Sequence, residues 1–210
     1  MGIDVGLESS VALSAGELIP NPKFLNQSAK RIKRLQRQLS RKNFGSMNRV
    51  KAKESLAKTW RKVRRQRDDF AHKLSYKLSA ENKLIVFENL KISNMVKNHS
   101  LASAIMDATW GKLRRLTASK AEGRRGRVVL VNPGGTSQKC SGCGWISPTK
   151  LKLNDRMFHC SNCSLTLNRD INAARNILKA GLEQSLVEAE PLLIRRISKF
   201  QSRKQEAQWL

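Results

Sequence analysis

The chain has 210 residues, with 41 Lys and Arg against 16 Asp and Glu, and a formal charge of +25 at pH 7. That length buries one core and carries one small appended module. The apolar runs at 84–87 (LIVF) and 128–131 (VVLV) are far too short to cross a bilayer, so no membrane association is expected. A charge of this size repels itself unless a polyanion is bound, which makes nucleic acid the expected partner; charge alone does not separate an enzyme from a basic coat protein of the ribosomal type.

The first residues read as a β-meander, with strands at 2–7 and 9–14, a turn at Ala15-Gly16, and a third strand entering Ile19 before Pro20 and Pro22 stop it. Asp4 is anomalous there. A carboxylate between Ile3 and Val5 either faces outward or is a buried charge that needs a cation beside it, and Gly2 and Gly6 clear space around it. From Asn26 to Lys42 the period turns helical, with Ala29, Ile32, Leu35 and Leu39 on one stripe; after a loop at 44–48 a longer helix runs from Arg49 to Ser79. The two are expected to lie antiparallel. Their outer faces carry Arg34, Arg37, Arg41, Arg61, Arg64, Arg65 and Arg67 among many lysines, a single-sign run better explained by a phosphate backbone than by solvent alone.

Residues 83–88 (KLIVFE) read as a strand buried on both faces and ending in Glu88, the position where open α/β sheets place their sites. A polar loop is expected at 91–100, one helix at 101–122, and a last strand at 128–131. A helix then follows Asp170, with Asn168 as its cap, and the remainder, 183–210, reads as a mixed tail interrupted at Pro191. Trp60 and Trp110 fall on apolar stripes and read as core rather than as platforms for bases. The Ser- and Gly-rich stretch at 117–126 is expected to pack loosely.

All four cysteines lie in two C-x-x-C pairs, Cys140/Cys143 and Cys160/Cys163, with sixteen residues between the pairs. That spacing is a zinc ribbon's: each x-x turn aims two sulfurs at one point, and the loop is long enough to fold back. Two disulfides in a secreted domain are the alternative, set aside because no signal peptide is read. Four thiolates leave no open position for water, so the zinc is expected to be structural. His159 adjoins Cys160 but is superfluous as a ligand. Asn172 and Asn176 either position water and substrate or simply cap and pack.

The order of elements is three antiparallel strands, a helical excursion, strand, helix, strand and final helix. This predicts an α/β fold, an RNase H-like (RuvC) mixed five-stranded sheet of order 3-2-1-4-5, with a helical-hairpin insertion and an inserted zinc ribbon. In such a sheet Asp4, Glu88 and Asp170 meet. Three carboxylates so close cannot all stay ionised without divalent cations, and two Mg²⁺ ions about 4 Å apart would hold them and hydrolyse a phosphodiester. The expected domains are a nuclease core at 1–135 that includes the basic hairpin 26–79, a ribbon at 136–167, a last core helix at 168–182 and a tail at 183–210.

The segments GIDVGL, LIVFENL, TSQKCSGCG, CSNC and NRDINAARNIL resemble the signature segments of the TnpB (OrfB) proteins of insertion sequences, relatives of type V CRISPR effectors. The resemblance covers almost the whole chain. It implies a RuvC-like nuclease with a zinc ribbon, RNA-guided cleavage of DNA and an association with transposition. It places the catalytic acids on Asp4, Glu88 and Asp170 and the zinc ligands on Cys140, Cys143, Cys160 and Cys163. Arg156 matches a basic position of the family ribbon, either touching the scissile strand or packing on the ribbon. Implied partners are DNA and a guide RNA, implied metals structural Zn²⁺ and catalytic Mg²⁺ with Mn²⁺ as a substitute, and the implied location is the cytoplasm of a bacterium or archaeon, at the nucleoid. Relatives carry a long portion before the first catalytic strand that holds the guide, and here the chain is expected to lack it. Two alternatives remain: a catalytically silent nucleic-acid-binding remnant, and a zinc-ribbon transcription accessory, which leaves Asp4 and Glu88 unexplained.

Overall fold

A computed structural model describes residues 1–148, 151 and 155–206, with side chains placed through 187. Its centre is a five-stranded sheet of order β3-β2-β1-β4-β5. The strands are β1 (Gly2–Val5), β2 (Ser9–Leu13), β3 (Leu18–Pro20), β4 (Leu84–Glu88) and β5 (Arg127–Val131). β1, β2 and β3 pair antiparallel, while β4 joins β1 and β5 in parallel, as the order of elements predicts for an RNase H-like sheet.

Period-two alternation assigns the faces. Ile3, Ile85 and Phe87 point to one side, where they pack with Leu74 and Leu78 of helix α2 (Met47–Glu81) and Leu113 of helix α5 (Trp110–Glu122). Val86, Val129 and Val131 point to the other side, against Ile177 of helix α6 (Arg169–Glu206). A strand buried on both faces has no polar face to spare, which is why β4 is an unbroken apolar run.

Two glycines set how closely α6 approaches the sheet. A Cβ on Gly2 would lie 2.1 Å from the Ala174 carbonyl oxygen and 2.7 Å from the Leu178 nitrogen, and one on Gly181 would lie 2.4 Å from a methyl of Val86. Helix backbone therefore rests directly on β1, and strand side chain on helix backbone. Gly2→Ala is expected to lower stability by roughly 1–3 kcal/mol through overpacking, read as a lower urea midpoint at unchanged m value; an unchanged midpoint would mean that α6 can retreat without cost.

Helix α1 (Phe24–Ser40) lies antiparallel to α2, and both ends of the pair are pinned. Near the turn, the Arg49 guanidinium donates to the carbonyls of Leu39 and Lys42 at 3.0 and 3.1 Å. At the far end the buried Asp107 carboxylate accepts the Leu25 N–H and pairs with Arg67 at 2.6 Å. Arg67 thus belongs to an internal ion pair rather than to the solvent-facing cations with which its sequence neighbours group it.

Five other expectations are corrected. The segment 91–100 is helical, with α3 (Ile92–Met95) and the start of α4 (His99–Ala108). Asn98 caps α4 through Ser100 N–H, and Ile92, Met95 and Val96 pack against Ile105, Ala108 and Trp110. The predicted helix at 101–122 is two helices, parted by Thr109 in the left-handed region (φ 53°); Trp110 beside it is buried and donates its indole N–H to the Gly6 carbonyl at 3.3 Å. Around 117–126 the packing is tight, with Thr117 and Ala121 fully buried, and a Cβ on Gly126 would lie 2.9 Å from the Lys83 carbonyl oxygen. The small residues are there because backbone passes close by. Finally, α6 continues through Pro191 to Glu206: one proline deletes one N–H donor, and the helix formers around it carry the backbone on. Trp110 is core as expected, but Trp60 is not, being 38% exposed on α2.

Candidate active site and metal centre

The parallel register of β1 and β4 places the acids. Gly2 pairs with Val86 and Ile3 with Phe87, so Asp4 and Glu88 are the next residues along two adjacent strands. Alternation puts both on the face that carries α6. Asp170 stands in the first turn of that helix, whose first free N–H groups are capped by Asn168: the amide oxygen accepts from Asp170 at 2.9 Å and from Ile171 at 3.3 Å. Local strand register and a helix cap therefore deliver three carboxylates to one place.

All three line a single cleft of about 510 Å³, floored by Gly6 and Trp110 and walled on the ribbon side by Arg156. Burial, then the neighbouring charges of Glu88 and Asp170, raise the Asp4 carboxyl well above its usual range, and Arg169 opposes the rise. Burial also raises Glu88, against a hydrogen bond from the Thr136 hydroxyl at 2.5 Å. The Arg156 guanidinium lies 3.9 Å from Asp170 and stays half exposed. Among the described residues only the four cysteines gather metal-ligating atoms within 4.8 Å of one another, so the acids form a looser set around the cleft. A second depression, of about 610 Å³, shares Leu90, Met95 and Pro133 with it and has Asn89, Asn94 and Asn132 on its walls.

The cysteine centre is closed. Sulfurs of Cys140 and Cys163 lie 3.7 Å apart, and those of Cys143 and Cys160 3.6 Å apart. A tetrahedron with metal–sulfur bonds of about 2.3 Å has edges of about 3.8 Å, so the four thiols fit zinc, whereas a disulfide needs about 2.05 Å. Both knuckles are built alike. Cys140 N–H donates to Trp145 O and Gly144 N–H to Cys140 O; Cys160 N–H donates to Leu165 O and Ser164 N–H to Cys160 O. The tight turn needs a left-handed residue one past the second cysteine, filled by Gly144 (φ 80°) and, at some strain, Ser164 (φ 57°). An amide N–H of Asn162, then the backbone N–H of Trp145, pull the Cys143 thiol down to about 6. At Cys163 the Leu165 N–H acts to lower the thiol, but hydrogen bonding to Cys143 and burial outweigh it and push that thiol up to about 12, so the metal-free sulfurs keep protons that a cation would displace. Phe158, on β6 (Met157–His159), is buried against Cys140 and Cys160, and β7 (Thr166–Asn168) pairs with it antiparallel. His159 is exposed and bonds Thr166 at 2.8 Å, apart from the sulfurs.

Asn172 and Asn176 resolve toward packing. With Lys179 they form one stripe of α6: Asn172 accepts from Ser141 N–H and donates to Lys139 O, Asn176 donates to Thr136 O and Lys139 O, and Lys179 donates to Ser141 O. The helix that carries Asp170 thus also holds the ribbon, and with it Thr136, beside the cleft. Thr136 and Arg169 are functional candidates that the sequence hides, because a hydroxyl or guanidinium shows no purpose until its carboxylate partner is located. Arg34, Arg37 and Arg41 are exposed along α1, where with Lys30 and Lys33 they line a shallow groove, and Arg61, Arg64 and Arg65 are exposed on α2.

Residues 1–99 match the family model OrfB_IS605, described as "Probable transposase", and residues 110–177 match the Cas12f1-like TNB domain. A Streptomyces pristinaespiralis protein named "Putative RNA-guided DNA endonuclease" is 42% identical over 88% of this chain. The chain belongs to the TnpB (OrfB) family. Escherichia coli K12 has a relative, "Putative RNA-guided DNA endonuclease InsQ", 35% identical over 86% of this chain. This family member spans about half the length of those relatives, 46% and 48% respectively. Two solved structures share its fold: a Cas12f1–sgRNA–target DNA complex (TM-score 0.59, 21% identity, 84% of this chain and 48% of the other) and a CRISPR–Cas12f ternary complex (TM-score 0.62, 22% identity, 84% and 37%).

Proposed function

We propose that this chain is the nuclease half of a TnpB-type, transposon-associated, RNA-guided DNA endonuclease, with Asp4, Glu88 and Asp170 as its catalytic acids. The observation that carries the reading is the single cleft onto which two adjacent strand ends and one helix start all present carboxylates. A half-buried set of acids flanked by Arg156 and Arg169 is arranged for a cationic cofactor and an anionic substrate together. Bound divalent cations would supply Lewis acidity and a water of lowered pKa at the phosphodiester.

In that reading Asp4 and Glu88 would hold one cation between neighbouring strands, and Asp170, with Asp4, a second. The Thr136 hydroxyl keeps Glu88 oriented. Arg156, half exposed at the cleft wall, turns from Asp170 to the scissile phosphate. The exposed arginines of α1 and α2, Arg34, Arg37, Arg41, Arg61, Arg64 and Arg65, take the sugar-phosphate backbone at a distance from the cleft. Core 1–135, ribbon 136–167 and the helix from 168 then act as one cutting unit, with guide RNA and target DNA as partners by kinship with the named relatives.

The test is cleavage of single-stranded DNA by the purified chain with Mg²⁺ or Mn²⁺, beside Asp4→Ala. Products from the wild type alone support the reading; equal products from both proteins end it. Tight, salt-steep binding with no products from either would establish the silent binding protein instead.

A further inference from the structure

The turn between α1 and α2 carries Phe44, which at 95% exposure is the most exposed large apolar side chain among the described residues. The turn beneath it is closed by hydrogen bonds. Gly45 turns the chain at φ 78°, the Ser46 hydroxyl donates to Asn43 O at 2.9 Å, and the same oxygen accepts Arg49 N–H at 3.2 Å. The Arg49 guanidinium, held by two carbonyls at the end of α1, lies 5.7 Å from the Phe44 ring centroid. The guanidinium thus stands over one face of the ring at the outer reach of a cation–π contact, and at 95% exposure the ring stays open to a base. Met47 (71%) and Val50 (44%), in the first turn of α2, are exposed as well.

The charge around this turn chooses its occupant. Residues 24–58 contain Lys30, Arg31, Lys33, Arg34, Arg37, Arg41, Lys42, Arg49, Lys51, Lys53 and Lys58 against a single acid, Glu54. An apolar protein surface would have to bring a dense acidic rim to approach it. A nucleic-acid strand brings its own charge and also a flat, weakly hydrated face in every unpaired base.

We propose that Phe44 is a stacking platform for an unpaired nucleobase, placed at the tip of a cationic hairpin whose α1 and first α2 turns hold the flanking phosphates. The site is separate from the carboxylate cleft, but the inference rests on the reading of the chain as a nucleic-acid-binding protein. Phosphates would supply most of the affinity and the ring would register the strand at one base, with the guanidinium beneath strengthening the stack.

The experiment uses the full chain in magnesium-free buffer, with single-stranded DNA and RNA of one sequence, the DNA duplex, and a single strand carrying abasic sites, over a range of KCl. Phe44→Ala is expected to weaken both intact single strands about tenfold, the lower part of the range for losing one aromatic–base stack. It should leave the salt slope unchanged, whereas Arg34→Gln lowers that slope by about one. Phe44→Leu should be as weak as the alanine variant, and a 2-aminopurine strand should be quenched by the wild type and not by Phe44→Ala. A loss seen with only DNA or only RNA identifies which strand supplies the base and upholds the site. Equal affinity of wild type and Phe44→Ala, full rescue by leucine, or the same tenfold loss on the abasic strand overturns it. If the wild type binds with a steep salt slope and Phe44→Ala matches it, only the stacking site falls. If the wild type binds no strand at all, the nucleic-acid reading falls with it.

Discussion

Asp4→Asn is expected to abolish cleavage while making the magnesium-free protein more stable. The two effects share one cause. Asp4 is withdrawn from water and, second, lies beside the charges of Glu88 and Asp170, so its carboxyl binds a proton more tightly in the folded chain than in the unfolded one. Between the ordinary carboxylate range and that raised value the folded state holds more protons, so stability falls as pH climbs through the window and stays at its lower level above it. The amide side chain removes that dependence. At neutral pH without magnesium, Asp4→Asn should therefore melt higher, by roughly 2–4 °C for each kcal/mol recovered, with a shallower decline of melting temperature with pH. The residual slope belongs to Glu88, which burial shifts in the same direction.

Magnesium should reverse the order. Wild type gains stability by binding the ion, and Asp4→Asn, having lost a shared ligand, gains little. Cleavage should drop by about 10³-fold or more, since metal ions contribute several kcal/mol of charge stabilisation to such transition states. A thermal-shift series in pH with and without Mg²⁺, beside a cleavage time course, reads all of this. Equal melting of the two proteins at every pH, or cleavage by Asp4→Asn within a fewfold of wild type, would show that the acids are an ordinary polar cluster.

What the sequence made legible follows from which interactions are local. Strand β4 announces itself because a strand buried on both faces must be apolar throughout, and the two knuckles because thiolate spacing is set by a turn of fixed length. Sheet order followed from the succession of elements, and the meeting of Asp4 with Glu88 followed from sheet order. Three kinds of feature were hidden. Thr109 parts two helices although the run holds no proline and its one glycine, Gly111, lies inside the second helix, because burial of Trp110 overrides propensity. Arg67 reads like any other arginine of α2 until Asp107, forty residues on, is placed beside it. The polar stripe of Asn172, Asn176 and Lys179 looks like a solvent face and is instead the seam that fastens the ribbon, because its partners are backbone groups that composition cannot show.

That seam sets the expectation for Cys140→Ser. The ribbon's own core is small, Phe158 with two buried cysteines and the flanks of Trp145, Leu151 and Leu165, too little to stay folded without a metal. Loss of one thiolate should drop bound zinc from about one per chain to a small fraction of that, read by a colorimetric chelator after denaturation. Amide exchange at Phe158 and Leu165 should become fast while protection at Ile85 and Val86 in the sheet persists, because the sheet's core is made by α2, α5 and α6 and not by the ribbon. The damage should reach the cleft even so. Cys140 is buried four residues beyond Thr136, which orients Glu88, and Arg156 stands one residue before β6, so a molten ribbon releases both from the carboxylates. Cleavage should fall about 10²-fold through kcat, and adding excess Mg²⁺ should not restore it. Full zinc occupancy in both Cys140→Ser and Cys160→Ser would mean that the sulfurs do not hold the metal, and unchanged cleavage by a zinc-free variant would mean that the ribbon does not position the site.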